Sequence, residues 1–85
     1  MARRKLGQHF LRNGAILERI AAAACPRSEA AVVEIGPGRG ALTEKLLARA
    51  QRVVAIELDA ELVRYLSHKF AGEPRLSLLE PAVIP

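Results

Sequence analysis

The sequence contains no tryptophan, a single cysteine (Cys25), and only two phenylalanines and one tyrosine. A lone cysteine excludes an internal disulfide and a metal cluster built from several cysteines, so we expect no metal and predict that Cys25 is a small buried side chain. No apolar run approaches the roughly 18 residues that a membrane span needs. The N-terminus is basic but lacks the apolar segment of a secretory signal. These absences predict a globular, cytoplasmic protein.

Acidic residues are scarce only near the N-terminus. Residues 1–30 carry six basic and two acidic side chains, whereas residues 31–85 carry seven of each, so the net charge of +4 lies in the first segment. Its densest part is Arg3, Arg4 and Lys5. A basic arm ahead of an electrically balanced domain suggests a polyanionic partner whose phosphates supply affinity. The alternative is a solvated terminus that only aids solubility.

Residues 1–12 form this arm, and residues 13–85 show apolar spacing that alternates between helix and strand. Asn13 is expected to cap a helix that Pro26 ends. Asp59 is expected to cap a later helix, on whose apolar face Tyr65 would pack. Strands are predicted at 31–35, 53–57 and 75–80. This alternation indicates an α/β domain with a parallel sheet.

A sheet of three parallel strands poses a packing problem. The first two strands are almost continuous apolar runs, which is typical of strands covered on both faces. Right-handed crossovers place successive helices on one face, so the other face would be left largely open. We therefore expect this chain to be part of a longer protein.

The most informative stretch runs from residue 33 to residue 59, VEIGPGRGALTEKLLARAQRVVAIELD. A glycine turn directly after a strand lets the backbone approach a ligand closely, and the helix behind it presents unpaired N–H groups. Glu57 ends the second strand, where it can accept hydrogen bonds from ribose hydroxyls. Gly36, Gly38 and Glu57 therefore predict a site for a cofactor that carries a nucleoside.

Two cofactor classes fit this layout. Gly36, Gly38 and Ala41 satisfy the G-x-G-x-x-G/A pattern, so an NAD-type oxidoreductase stays open. Glu34 argues against it, because a carboxylate that faced a pyrophosphate in a partly dry site would repel it. The same acid suits S-adenosylmethionine, whose amino and sulfonium groups are positive and which has no phosphate. We favour a methyltransferase, and the alternative for Glu34 is a solvent-facing side chain without a role.

Three motifs, in order, resemble those of the small-subunit ribosomal RNA adenine dimethyltransferases. They are KLGQHFL at residues 5–11, VVEIGPGRGALT at 32–43 and AIELD at 55–59, and the resemblance covers essentially residues 3–79. Related enzymes that methylate large-subunit rRNA share much of this pattern. The resemblance implies a Rossmann-like class I methyltransferase fold, of which this chain would hold only the first βαβαβ part.

The resemblance also implies a cofactor, residue roles and a partner. The cofactor would be S-adenosylmethionine, with His9 and Leu11 in the family's cofactor-covering G-Q-[NH]-F-L segment. Gly36 and Gly38 would lie beneath its methionine and ribose portions, and Glu57 would accept both ribose hydroxyls. The family dimethylates two adjacent adenosines near the 3′ end of small-subunit rRNA, so the expected partner is that RNA or a 30S-type precursor. A non-catalytic RNA-binding module that uses the basic arm is a further alternative.

Two features of the family are missing from these 85 residues. The family's third strand is followed by an aspartate that contacts the adenine, whereas here Glu80 is followed by Pro81 and Ala82. The N-[LI]-P-[YF] motif, which holds the target amine and stacks on the flipped base, does not occur in the sequence. We therefore expect no catalytic residue here, and an N-terminal part of an enzyme that is inactive by itself.

Overall fold

The computed structural model describes residues 13–28 and 30–81. Its elements are helix α1 (Gly14–Ala24), strand β1 (Ala31–Ile35), helix α2 (Ala41–Leu47), strand β2 (Arg52–Ile56), helix α3 (Ala60–Lys69) and strand β3 (Leu76–Leu79). The alternation of strand and helix after α1 confirms the predicted α/β organisation.

The three strands form one parallel sheet in the order β1-β2-β3. Val32 of β1 lies beside Val53 of β2, which in turn lies beside Leu76 of β3. Parallel neighbours need a crossover connection, and α2 and α3 provide one each. This arrangement is the first βαβαβ part of a Rossmann-like fold, as predicted.

The helix ends follow the capping residues that the sequence predicts. The Asn13 side chain accepts a hydrogen bond from the Ile16 amide at 3.1 Å, and α1 ends at Ala24, with Cys25 as its C-cap just before Pro26. The Asp59 carboxylate accepts from the amides of Glu61 and Leu62 at 2.9 and 3.4 Å. Each cap satisfies backbone donors that have no partner within the first turn of a helix.

Two strand boundaries differ slightly from the prediction. Strand β2 was expected to include Glu57 but spans Arg52–Ile56, and β3 spans Leu76–Leu79 rather than 75–80. The Glu57 amide nevertheless donates to the Leu79 carbonyl at 2.9 Å. Glu57 is therefore held against β3 while its backbone turns out of the strand, which places its side chain at the carboxyl edge of the sheet.

The core lies between the sheet and the helices on one of its faces. Leu46, Val53 and Cys25 are at most 1% exposed, so the prediction of a buried cysteine is confirmed. Alternate residues of β1 point the other way, and there Val33 and Ile35 are 62% and 74% exposed among the described residues. The expectation that one sheet face is left open is thus confirmed for the part of the chain that the structure describes.

Candidate cofactor site at the carboxyl edge of the sheet

The glycine loop and the acid that follows β2 meet at one edge of the sheet, because parallel neighbouring strands end on the same side. The loop, defined here as residues 36–40, follows β1. Its Gly36 amide donates to the Ile56 carbonyl at 2.8 Å, which extends the ladder by one bond. The Gly38 amide donates to Oε1 of Glu57 at 3.1 Å. Three of the predicted site residues, Gly36, Gly38 and Glu57, are therefore brought together.

The Glu57 carboxylate is held in one orientation by two backbone amides. Oε1 accepts from Gly38, and Oε2 accepts from the Asp59 amide at 3.0 Å. Glu57 as a residue is only 8% exposed. A carboxylate has about four lone-pair sites, so two donors leave both oxygens able to accept further hydrogen bonds. The geometry therefore suits an acid that meets a pair of hydroxyl groups.

Gly36 and Gly38 leave open space where a ligand would approach. Both have positive φ angles, +67° and +59°, which side-chain-bearing residues rarely adopt. A Cβ atom placed on either glycine would find no atom of the described residues within 4 Å. The need for glycine at these positions comes from the backbone angle, and the space above them is free for a bound group.

Gly40 is a third constrained position, beyond the two glycines predicted to lie beneath the cofactor. Its φ is +87°, and a Cβ there would lie 2.7 Å from Cε2 of Phe70 and 3.0 Å from Cδ2 of Leu66. Gly40 is also the residue that caps α2, and its amide donates to the Pro37 carbonyl at 2.9 Å. The third glycine of the GPGRG motif is apparent in the sequence. Its contacts with Leu66 of α3 and with Phe70 directly after α3 are not, because they depend on how the helices pack.

Glu34 is arranged differently from the prediction. It is 8% exposed, lies on the helix-facing side of β1, and its Oε1 accepts a 2.6 Å hydrogen bond from Oγ1 of Thr43, which is fully buried. Burial raises the pKa of the Glu34 carboxyl, and the hydrogen bond from Thr43 opposes that rise. The solvent-facing alternative for Glu34 is therefore wrong, since the side chain is buried and hydrogen-bonded to Thr43. Its charge effect on the cofactor stays a prediction.

A basic and aromatic cluster flanks the loop on the side of α3. The Arg39 guanidinium lies 4.7 Å from the centroid of the Tyr65 ring, and Nζ of Lys69 donates to the Arg39 carbonyl at 2.8 Å. Lys69 also pairs with Glu44 of α2 at 3.0 Å. Tyr65 is 38% exposed, so the prediction that it packs in the apolar face of its helix was wrong.

The remaining predicted residues lie outside the described part of the chain. His9 and Leu11 of the expected cofactor-covering segment, together with Arg3, Arg4 and Lys5, fall within residues 1–12. Their roles stay predictions. Among the residues that the structure does describe, no helix is long and apolar enough to cross a membrane, and no group of three or more metal-ligating side chains is found.

The chain is similar to known proteins over almost its whole length. A family model described as "Ribosomal RNA adenine dimethylase" matches residues 1–83. "Ribosomal RNA small subunit methyltransferase A" of Synechococcus elongatus is 49% identical over 83 residues, which are 98% of this chain and 30% of that protein. The chain thus spans about a third or less of the length of the curated relatives it matches.

Solved structures agree with this similarity. "23S rRNA methyltransferase ErmE" is 36% identical with a TM-score of 0.76, covering 89% of this chain and 33% of that one. A "dimethyladenosine transferase from Plasmodium falciparum" is 31% identical with a TM-score of 0.69, covering 86% and 29%. The family match spans nearly every residue, and the fold and the motifs agree with it. This chain belongs to the ribosomal RNA adenine dimethylase family.

Proposed function

We propose that this chain forms the S-adenosylmethionine-binding N-terminal part of an rRNA adenine dimethyltransferase. The observation that carries the proposal is the bond between the Gly38 amide and Glu57, which joins the glycine loop to a fixed, mostly buried carboxylate at one sheet edge. Membership of the family makes a methyl donor the expected cofactor. The same membership argues against an NAD-type oxidoreductase.

The residues present fit this cofactor. The space above Gly36 and Gly38 accommodates a ligand that passes close to the backbone. Glu57 has acceptor capacity left for a pair of ribose hydroxyls. When bound, S-adenosylmethionine supplies an activated methyl group to an amine, and in-line placement contributes more to that reaction than acid–base chemistry does. The chain's contribution would be to bind and orient, with His9 and Leu11 covering the site.

The proposed substrate of the whole enzyme is a pair of adjacent adenosines near the 3′ end of small-subunit rRNA, in a 30S-type precursor. Supporting this, the small-subunit relative is 49% identical to this chain and the 23S rRNA methyltransferase is 36% identical. We place the enzyme in the cytoplasm because its proposed substrate is a ribosomal RNA. The basic arm at Arg3, Arg4 and Lys5 would contact RNA phosphates.

The cofactor can be identified by titrating the chain with S-adenosylhomocysteine and, separately, with NAD⁺ in a calorimeter. We expect S-adenosylhomocysteine to bind and NAD⁺ not to bind. The reverse result would establish the dinucleotide-binding alternative. RNA binding that is unaffected by S-adenosylhomocysteine, in a chain that binds neither cofactor, would favour the non-catalytic RNA-binding module.

The role of Glu57 has its own test. We expect Glu57→Ala to weaken S-adenosylhomocysteine binding by about 1.5–3 kcal/mol, the range for hydrogen bonds to a charged group. Glu57→Gln is an intermediate variant: its amide oxygen can still accept from the Gly38 amide, but its NH2 group cannot accept from the Asp59 amide, so a smaller loss than in Glu57→Ala is expected. Unchanged affinity in a folded Glu57→Ala protein would remove Glu57 from the site.

A further inference from the structure

The glycine loop is flanked by a buried pair of polar side chains that are hydrogen-bonded to each other. Glu34 precedes the loop on β1, and Thr43 follows it in the first turn of α2. Their 2.6 Å hydrogen bond joins two side chains that are 8% and 0% exposed as residues. The pair therefore closes the chain segment that contains the whole loop.

The loop itself has little intrinsic rigidity. Three of its five residues are glycines with positive φ, and glycine has the largest backbone freedom of any residue. Besides the strand-like bond of Gly36, its inner amide bonds are those of Gly38 to Glu57 and of Gly40 to Pro37. The position of the Gly38 amide relative to Glu57 thus depends on how β1 and α2 are held to each other.

A hydrogen bond suits that task better than an apolar contact. Apolar burial is non-directional, whereas a 2.6 Å O–H···O bond constrains both distance and angle between its partners. A buried carboxylate is costly for stability, and an apolar pair of similar shape would serve packing equally well.

We propose that Glu34 and Thr43 are positioning residues that hold the glycine loop against Glu57 and so set the affinity for the cofactor. This inference rests on the proposed function for its binding consequence. Glu34 lies on the helix-covered side of β1 and Thr43 points from α2 toward it, so we expect both to act on the loop and not through direct contact with the cofactor. Their effect would pass through the Gly38 amide.

The test compares Thr43→Val, which removes the donor at nearly constant shape, with Thr43→Ser, which keeps the hydroxyl. Ser67→Ala is the matched control, because Ser67 donates to the Val63 carbonyl on the exposed side of α3, away from the loop. Each variant is measured for hydrogen exchange of the Gly38 amide without ligand, for the dissociation constant of S-adenosylhomocysteine, and for the free energy of unfolding by urea.

We expect Thr43→Val to accelerate exchange at Gly38 and to weaken S-adenosylhomocysteine binding on the order of tenfold, within the range of coupling between residues in one hydrogen-bond network. Thr43→Ser and Ser67→Ala should retain both properties. A folded Thr43→Val protein with wild-type exchange at Gly38 would overturn the inference.

The double variant Glu34→Leu with Thr43→Val separates positioning from stability. Replacing both partners by apolar groups can leave stability unchanged, so this protein is expected to fold even if Thr43→Val does not. Faster exchange at Gly38 in the folded double variant supports positioning, and wild-type exchange and affinity would reduce the pair to a packing role. Failure of the wild-type chain to bind S-adenosylhomocysteine would instead count against the proposed function, because the exchange measurement needs no ligand.

Discussion

At the scale of single residues, the three glycines of the loop are needed for two different reasons. Gly36 and Gly38 have positive φ angles, and no atom in the described part of the chain lies within 4 Å of the place where a Cβ would be, so among these residues the backbone angle is what disfavours a side chain. Gly40 combines a positive φ with close contact to Phe70 and Leu66. The first two leave room for a ligand, whereas the third lets α2 approach α3.

Gly36→Val should abolish cofactor binding while the helices remain. A β-branched residue at φ +67° is strained, at a cost of order 1–3 kcal/mol, and it would also fill the open space above the loop. The measurement is calorimetry with S-adenosylhomocysteine, with circular dichroism as the check on folding. Gly36→Ala is the matched control, with the same backbone demand and less bulk. Normal binding by the valine variant would mean that the loop is only a turn.

Glu34 should make stability depend on pH in a predictable direction. Because burial raises its pKa in the fold, the native state holds the proton more tightly than the unfolded chain does. The stabilisation that Glu34 adds to the free energy of unfolding is therefore fully present below the ordinary glutamate pKa, about 4.3. It is lost as the pH rises through the raised pKa. We expect the free energy of unfolding of the wild type, measured in urea, to fall relative to that of Glu34→Gln as the pH rises above the ordinary glutamate pKa. A flat difference would contradict it.

At the scale of elements, α3 is tied to the loop at both of its ends. The Asp59 carboxylate caps the first turn of α3, and the Asp59 amide donates to Glu57. Glu57 in turn accepts from the Gly38 amide, so the start of α3 is linked to the loop through Glu57. At the other end, Lys69 donates to the Arg39 carbonyl, and the Phe70 ring lies against Gly40. A shift of α3 would therefore change the position of the loop.

Asp59→Ala should lower the free energy of unfolding by about 1 kcal/mol, the usual cost of losing an N-cap side chain. The backbone amide that donates to Glu57 remains in this variant, so cofactor affinity should change much less than stability. Asp59→Ser, which keeps a capping oxygen, is the control. Urea denaturation and calorimetry on the same preparations give both quantities, and an unchanged midpoint for Asp59→Ala would show that the cap contributes nothing.

At the scale of the whole molecule, the described residues form a sheet with helices on one face and exposed apolar side chains on the other. Val33, Ile35 and Leu79 are 62%, 74% and 48% exposed. The cofactor edge can be assembled from these elements alone, because its three residues come from the ends of β1 and β2. The motif that would hold a target adenine does not occur in these 85 residues, so these elements do not supply that part of the site.

We expect the 85-residue chain by itself to transfer no methyl groups to RNA. The N-[LI]-P-[YF] motif, which would hold the target amine, does not occur in these residues, and the adenine-contacting aspartate that the resemblance implies is replaced by Ala82. Labelled S-adenosylmethionine and undermethylated small ribosomal subunits provide the assay, with the Synechococcus elongatus relative as positive control. Turnover above background in a preparation free of host enzyme would refute this expectation.

Much of the fold and of the candidate site could be predicted. Some features depend on residues close in sequence, namely the caps at Asn13 and Asp59 and the end of α1 before Pro26. Others follow because parallel strands end at the same sheet edge, which brings together Gly36, Gly38 and Glu57. The partner of Glu34 could not be predicted, because Thr43 lies on the following helix and the hydrogen bond depends on how that helix packs on the sheet. Tyr65 was misjudged because its helical spacing resembles that of its apolar neighbours.

The order of elements, the parallel sheet and the meeting of glycine loop and acid at one edge follow from the amino-acid sequence, because alternation, capping and turn chemistry are local. Three contacts became visible only in the folded molecule: Glu34 is buried against Thr43, Gly40 lies against Phe70 and Leu66, and the Arg39 guanidinium lies over the Tyr65 ring. These contacts join residues from different elements, and their geometry follows from how the helices pack on the sheet.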